Sequence, residues 1–137
     1  EFTPMQHLAE AQTRHDFLRA VRVLDQQIEF EKRMVDLRPR AAHLTYMSEM
    51  RFLRTRTLIK RNAGRATAAE LTEYASQVEL SIASMKRSLD LPPPYEHREF
   101  ILRYSRPMTR NDIETKISEM QQQLQLIQDT LAARPQG

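Results

Sequence analysis

Hydrophobic residues recur along most of this chain at alternating spacings of four and three residues, which places them on one side of an α-helix. The first series comprises Phe17, Val21, Leu24, Ile28 and Val35, with Glu31 at its one polar position. A capping residue at Thr3, a proline after it and no helix breaker before Pro39 predict one unbroken helix from Thr3 to Leu37, although before Phe17 the same frame places Glu10 and Arg14 in the seam. Such a helix would be about 50 Å long and the longest in the chain, and Pro39 would end it.

Residues 41–62, from Ala41 to Asn62, predict a second helix of a different character. Its hydrophobic side chains, from Leu44 to Ile59, spread around most of the helical circumference rather than along one side. A helix with this pattern is usual at the centre of a core or between two partners. Gly64 follows at the position where a left-handed residue commonly caps a helix.

Two later helices have the most regular spacing in the chain. The first begins at a Thr67–Glu70 capping box, and the second begins near Thr109 or at an Asn111–Glu114 capping box. Their hydrophobic positions are Leu71, Ala75, Val78, Ile82, Met85 and Leu89, and Ile113, Ile117, Met120, Leu124, Ile127 and Leu131. This is the heptad spacing of a coiled-coil seam. The equal seam lengths predict that the two helices pack together with Ile82 and Ile117 buried. Whether they run parallel or antiparallel stays open.

Prolines mark the boundaries of the remaining elements. Pro92-Pro93-Pro94 ends the third long helix, and Pro107 ends a short amphipathic helix predicted from Glu96 to Tyr104. The chain is therefore predicted to be all-α, a helical bundle of four long helices plus one short helix with coiled-coil-type heptad seams. We expect a single helical domain over residues 1–137, cut from a longer protein, with Glu1-Phe2 left by cloning.

Composition narrows the classes of protein to which the chain can belong. Hydrophobic residues make up 40% and charged residues 28% of the 137 residues, which is typical of a folded domain. The absence of cysteine excludes disulfides and thiolate chemistry and favours an intracellular protein, cytoplasmic or nuclear. Two glycines leave little room for phosphate-binding loops. No hydrophobic run reaches the roughly 18–20 residues of a membrane span.

No motif in the sequence predicts catalysis or a bound cofactor. None of the four histidines lies three or four residues from another, which is the spacing that a metal site on a helix needs. None of the serines stands in the Gly-x-Ser-x-Gly turn of hydrolases. We therefore expect no enzyme, no metal, no cofactor and no small-molecule substrate. An enzyme whose site is built from distant residues leaves no local motif, and it is the third hypothesis.

The heptad seams instead predict binding to another protein, because such seams are association surfaces. The expected partner-binding residues are Leu71, Val78, Ile82, Met85 and Leu89 in one helix and Ile113, Ile117, Met120, Leu124, Ile127 and Leu131 in the other. We interpret the chain as a non-enzymatic scaffold or adaptor module whose partner is a helical or acidic protein, or a second copy of itself. In the competing interpretation the hydrophobic seams are buried within one chain. Whether the chain forms oligomers therefore stays open.

A basic stretch supports the alternative function, which is binding to the phosphates of nucleic acid or of an acidic membrane. It contains Arg51, Arg54, Arg56, Lys60, Arg61 and Arg65, with no acidic residue between Glu49 and Glu70. On a helix, Arg56 and Lys60 form one pair, and Arg54 and Arg61 form another about 130° away. We expect the second pair to face an acidic partner. The competing interpretation pairs these side chains with acids of the first helix, such as Asp25.

Pro92, Pro93 and Tyr95 belong to a Pro-Pro-Pro-Tyr segment that resembles the Pro-Pro-x-Tyr ligands of WW domains. The resemblance covers four residues and implies an exposed, extended segment with an accessible Tyr95 ring. In the competing interpretation the prolines stop a helix and Tyr95 packs under the short helix that follows. Phe100 and Ile101 need apolar neighbours and favour packing, so we expect Tyr95 to be at least partly buried.

Overall fold

The computed structural model describes residues 7, 8, 10, 16–62, 64–96 and 107–134. Most of them belong to four α-helices: α1 (Phe17–Leu37), α2 (Ala41–Asn62), α3 (Ala68–Ser88) and α4 (Arg110–Ala132). His7, Leu8 and Glu10 are helical as well, and the described residues contain no strand. The all-α prediction is confirmed. The short helix predicted from Glu96 to Tyr104 falls, apart from Glu96 itself, outside the described residues.

The first long helix begins at Phe17, where its hydrophobic series also begins, and not at the predicted cap Thr3. The side chain of Asp16 accepts a hydrogen bond from the Arg19 backbone amide at 3.1 Å, and Asp16 has a non-helical backbone (φ −87°, ψ 79°). An aspartate in this position satisfies an amide that the first turn otherwise leaves without a partner. The unbroken helix predicted from Thr3 to Leu37 is therefore wrong. α1 has 21 residues, about 32 Å, and α4, with 23, is the longest helix described.

Local signals place α2 and the start of α3 correctly. α2 has the predicted bounds, and Gly64 after it adopts the predicted left-handed backbone (φ 83°). At the start of α3, the Thr67 hydroxyl accepts from the Glu70 amide at 3.1 Å, while the Glu70 carboxylate accepts from the Thr67 amide at 2.9 Å. This reciprocal pair is the predicted capping box.

The start of α4 has an equivalent capping box between Thr109 and Asp112, with hydrogen bonds of 3.2 and 2.7 Å. Of the two predicted starts, Thr109 is correct, and the capping box assigned to Asn111–Glu114 is wrong. Thr109 precedes Asp112 by the three residues that a reciprocal box needs, whereas Asn111 already lies within the first turn.

Each helix packs against its neighbour in sequence: α1 on α2, α2 on α3, and α3 on α4. The links 38–40 and 63–67 are short, so α1, α2 and α3 alternate in direction. The Arg110 guanidinium donates to the Leu89 carbonyl at 2.7 Å, and that of Arg134 donates to the Ala66 carbonyl. The two ends of α4 therefore lie at opposite ends of α3. The predicted pairing of these helices is confirmed; it is antiparallel, so α4 runs parallel to α2.

Three groups of buried side chains hold the helices together, and α2 contributes to all of them. The main group joins α2, α3 and α4 and contains Ile82 and Ile117, each 8% exposed, as predicted. Two smaller groups join α1 to α2, one through Leu24 and Met50 and the other around Val35. Because α2 has neighbours on several sides, its hydrophobic residues spread around its circumference.

Candidate protein-binding surfaces

The eleven residues predicted to bind a partner through heptad seams belong to the main core. Leu89, Leu124 and Leu131 are partly buried there. The fully buried members are Leu71, Val78, Ile82, Met85, Ile113, Ile117, Met120 and Ile127. These side chains pack within one chain, so a partner would reach them only if α3 and α4 separated. Partner binding through these residues stays a prediction.

A buried acid–histidine pair joins α1 to α2. The Glu31 side chain is 1% exposed, and its Oε2 lies 2.5 Å from Nδ1 of His43. Burial of a carboxylate is unfavourable unless a neighbouring group pairs with it, and His43 supplies that group from the next helix. Neither residue is among the predicted site residues. The signal available in the sequence is Glu31 itself, the polar position in an otherwise hydrophobic series.

α2 also holds the proline segment that follows α3. The Thr45 hydroxyl donates to the backbone carbonyl of Tyr95, whose side chain is 5% exposed. The prediction that Tyr95 is at least partly buried is confirmed. A WW domain grips the tyrosine ring and the proline face together, and here Pro92, Pro93 and Pro94 are exposed while the ring is not. The burial of Tyr95 supports the packing interpretation of this segment.

Two of the six basic residues predicted to contact an acidic partner make contacts with neighbouring helices. Arg54 forms an ion pair with Asp25 of α1, as the competing interpretation predicts. Arg51 donates to Gln77 of α3 at 3.2 Å. Partial burial lowers the pKa of Arg51 from the ordinary arginine value, and the charge of Arg54 acts in the same direction. Both guanidinium groups thus attach α2 to its neighbours.

The other four basic residues, Arg56, Lys60, Arg61 and Arg65, are exposed. None of them forms an ion pair with an acid in the described part of the chain. The Arg56 guanidinium lies 5.6 Å from the centre of the Phe52 ring, close enough for a cation–π contact. Arg56 and Lys60 stand one turn apart on one side of α2, and Arg61 stands on another. The basic surface is therefore divided between two sides of the helix.

Arg56 and Lys60 border an open groove along α2 and α4. Two adjoining depressions, of about 400 and 60 Å³, share Leu53 and Arg56 and together form this α2–α4 groove. Its described lining consists of Phe17 of α1, Glu49, Met50, Phe52, Leu53, Arg56, Thr57, Ile59 and Lys60 of α2, and Lys116, Glu119, Met120 and Gln123 of α4. Most of these positions recur every three or four residues in two parallel helices, so the groove follows the helix axes.

The two ends of the α2–α4 groove differ in charge. At the narrower end, Lys116 Nζ lies 3.9 Å from the Glu49 carboxylate and 3.7 Å from that of Glu119, so one base faces two acids. At the wider end, Arg56 and Lys60 stand beside apolar side chains. The groove therefore has a basic, apolar end and an end where a basic side chain already lies beside acidic ones.

α1 leaves a strip of apolar surface uncovered. Phe30 is 47% exposed and Leu37 is 81% exposed. They stand seven residues apart, in line with Val23, and Met34 lies between them; Val23 and Met34 are half-buried. We call these four residues the α1 outer strip. Exposed apolar side chains that adjoin one another mark interaction sites more often than single exposed leucines do.

The junction of α2 and α3 contains two groups with shifted pKa values. Asn62 donates to the Glu70 carboxylate at 3.1 Å and to the Tyr74 hydroxyl. Hydrogen bonds with Thr67 lower the pKa of Glu70, and the bond from the Thr67 backbone amide has the largest effect. Burial raises the pKa of Tyr74, and the charge of Glu70 adds to this effect. The helix cap and the packed junction explain both shifts.

Neither a metal-binding cluster nor similarity to a known protein identifies a further site. Within the described residues, no three histidine, aspartate or glutamate side chains gather closely enough to hold a metal ion. None of the helices described is both long and apolar enough to cross a membrane. Comparison of the chain with protein-family models, with curated proteins and with solved structures finds no match. The exposed surfaces are therefore the basis for a functional proposal.

Proposed function

We propose that the chain is a non-enzymatic protein–protein interaction module, a scaffold or adaptor, that binds a helical partner. The observation that carries this proposal is the α1 outer strip, where Phe30 and Leu37 remain largely exposed. Burial of these side chains against a partner removes apolar surface from water, which favours association.

The spacing of the α1 outer strip favours a helix as the partner. Val23, Phe30 and Leu37 repeat every seven residues, with Met34 four residues after Phe30. This is the pattern by which one helix packs along another. From Val23 to Leu37 the strip is about 21 Å long, which corresponds to about four helical turns. A helix of another protein and α1 of a second copy both meet this requirement.

Phosphate binding is the second candidate function. Arg56, Lys60, Arg61 and Arg65 are exposed and form no close ion pair among the described residues, although the charge of Arg61 acts on the Glu70 carboxylate. They are therefore accessible to the phosphates of nucleic acid or of an acidic membrane. Their division between two sides of α2 leaves few charges on any one surface, and affinity for phosphates grows with the number of charges that are neutralised. Protein binding therefore stands first.

The double variant Phe30→Glu/Leu37→Glu tests the proposal. The immobilised chain is incubated with cell extract, and the retained proteins are quantified; sedimentation velocity measures self-association. We expect the wild type to retain a protein or to form dimers, and the double variant to lose that association because two carboxylates stand in the apolar strip. Leu80→Glu is the matched control, since Leu80 is 46% exposed on α3.

Two outcomes would contradict the proposal. One is a wild-type chain that is monomeric and retains nothing beyond the level of the double variant. The other is binding that weakens steeply with salt and is competed by oligonucleotides or anionic vesicles, which indicates phosphate binding.

A further inference from the structure

We propose that the α2–α4 groove is a docking site for an amphipathic helix of a partner protein that has acidic residues beside its apolar side. This inference rests on the proposed function and adds a partner chemistry for a second surface. Among the described helices, α1 packs on α2 and α4 packs on α3, but α1 and α4 make no extended contact with one another. The side of α2 that contains Leu53, Arg56 and Lys60 therefore stays open.

The groove has the length of a short helical ligand. Its α2 wall extends from Glu49 to Lys60, about 16 Å or three turns, and the α4 wall runs parallel to it from Lys116 to Gln123. A helix that lies along such a groove places its side chains into the spaces between those of the two walls. Leu53 and Ile59 of α2, both half-buried, offer apolar contacts to it.

Charge favours an acidic partner at the wider end of the groove. Arg56 and Lys60 line that end and pair with no carboxylate in the described part of the chain. At the narrower end, Lys116 already lies near both Glu49 and Glu119. A helix with aspartate or glutamate beside Arg56 and Lys60 complements the wider end. We expect the acidic residues of the partner helix to lie at that end, where these two basic side chains stand together.

The apolar lining argues against nucleic acid as the occupant. Phe17, Leu53 and Ile59 line the same depression as the two cations. A phosphate backbone makes ionic contacts with basic side chains and gains little from aliphatic ones. An amphipathic helix uses both kinds of side chain, so it fits the whole lining.

This docking site can be tested by peptide selection. A displayed library of helical peptides of about 20 residues is selected for binding to the full chain. We expect the enriched peptides to share apolar residues three or four positions apart, flanked by aspartate or glutamate. Their affinity for Arg56→Gln/Lys60→Gln should fall roughly tenfold or more, because the carboxylates lose both cations. Arg61→Gln/Arg65→Gln removes the same charge from elsewhere in the basic stretch and should bind like the wild type.

Melting curves establish that both variants fold. Amide chemical-shift changes during titration with an enriched peptide locate the binding site on the wild-type chain. The proposal is overturned if no peptide is enriched, if Arg56→Gln/Lys60→Gln binds as tightly as the wild type, or if the shifts fall on the α1 outer strip. Displacement of the peptides by a single-stranded oligonucleotide would overturn it in favour of phosphate binding. A negative selection together with partner loss in Phe30→Glu/Leu37→Glu would remove the groove inference and leave the proposed function standing.

Discussion

The contact between Glu31 and His43 illustrates how one polar residue determines the way two helices pair. Glu31 is buried in the contact between α1 and α2, where its carboxylate is tolerated because His43 stands beside it. If α1 were shifted along α2 by one turn, Glu31 would be buried away from His43 at a cost of several kcal/mol. We infer that this pair fixes the register of the two helices.

Removal of the histidine measures the strength of this constraint. We expect His43→Ala to lower the free energy of unfolding by about 3–5 kcal/mol, because it removes the partner of a buried carboxylate. The double variant Glu31→Leu/His43→Ala should recover much of this loss, since the buried charge is removed as well. Urea denaturation measures both values. A loss of less than about 1 kcal/mol for His43→Ala, which is typical of exposed ion pairs, would contradict the prediction.

The capping box of α3 makes stability depend on pH in a defined direction. Because hydrogen bonds with Thr67 lower the pKa of Glu70, its ionised carboxylate stabilises the folded chain. This contribution is present above the pKa of an unfolded glutamate, about 4.3, and is lost as the pH falls through the lower folded value. We expect the wild type to be more stable than Glu70→Gln at neutral pH, and the difference to shrink in acid. Urea denaturation at several pH values measures this difference in stability. A difference that stays constant with pH would refute the pKa shift.

At the scale of the helices, sequence alone predicts what a few neighbouring residues determine. The Thr67–Glu70 capping box and the bounds of α2 are of this kind, and both are confirmed. The start of α1 is missed because neither proline nor glycine stands near Phe17, so its boundary depends on the side chain of Asp16 alone. A capping side chain inside a run of good helix formers is a weak signal, and the start of the hydrophobic series at Phe17, after Arg14 and Glu10 in the same frame, was the further signal available.

Asp16→Ala distinguishes a capped α1 from the unbroken helix. As the N-cap, Asp16 satisfies the Arg19 amide, and its loss should cost about 1 kcal/mol of stability. Within an unbroken helix the same substitution would stabilise the chain, because alanine is the better helix former. We expect the melting temperature to fall. Asp16→Asn keeps a capping side chain and should melt close to the wild type, and a rise in both variants would restore the unbroken helix.

The α2–α4 groove depends on several helices at once, which is why sequence spacing does not predict it. The heptad series predict that α3 and α4 each bury one side, and the structure shows that they bury it in one core within the chain. The α2–α4 groove exists because α1 and α4 leave the same side of α2 open. Phe30 and Leu37 fall outside the main series of α1, and their seven-residue spacing from Val23 is the signal that could have identified them.

At the scale of the whole molecule, α1 is attached differently from the other helices. The main core joins α2, α3 and α4, whereas the described residues of α1 contribute to the two smaller groups that they share with α2. The groups that α1 shares with α2 contain fewer buried side chains than the main core, so we expect the opening of α1 alone to need less free energy than unfolding of the whole molecule. The molecule therefore consists of a three-helix core and a helix outside that core, which also bears the outer strip.

Amide hydrogen exchange tests this difference in local stability. We expect the amides of α1 to exchange through an opening of lower free energy than those of α3, because opening α1 leaves the main core intact. Exchange measured residue by residue at increasing, sub-denaturing urea separates the two openings. If the amides of both helices exchanged with the free energy of global unfolding, α1 would be part of one cooperative unit.

The packing of each helix on its neighbour in sequence has a consequence for synthesis. A helix that leaves the ribosome finds the helix on which it packs already outside, and the links before α2 and α3 are short, whereas the long link 89–109 must close before α4 packs on α3. α1 and α2 can pair while α3 is still being made. The apolar side of α3, however, has no cover until α4 emerges. The nascent chain that ends between these two helices is therefore the species that most needs a chaperone.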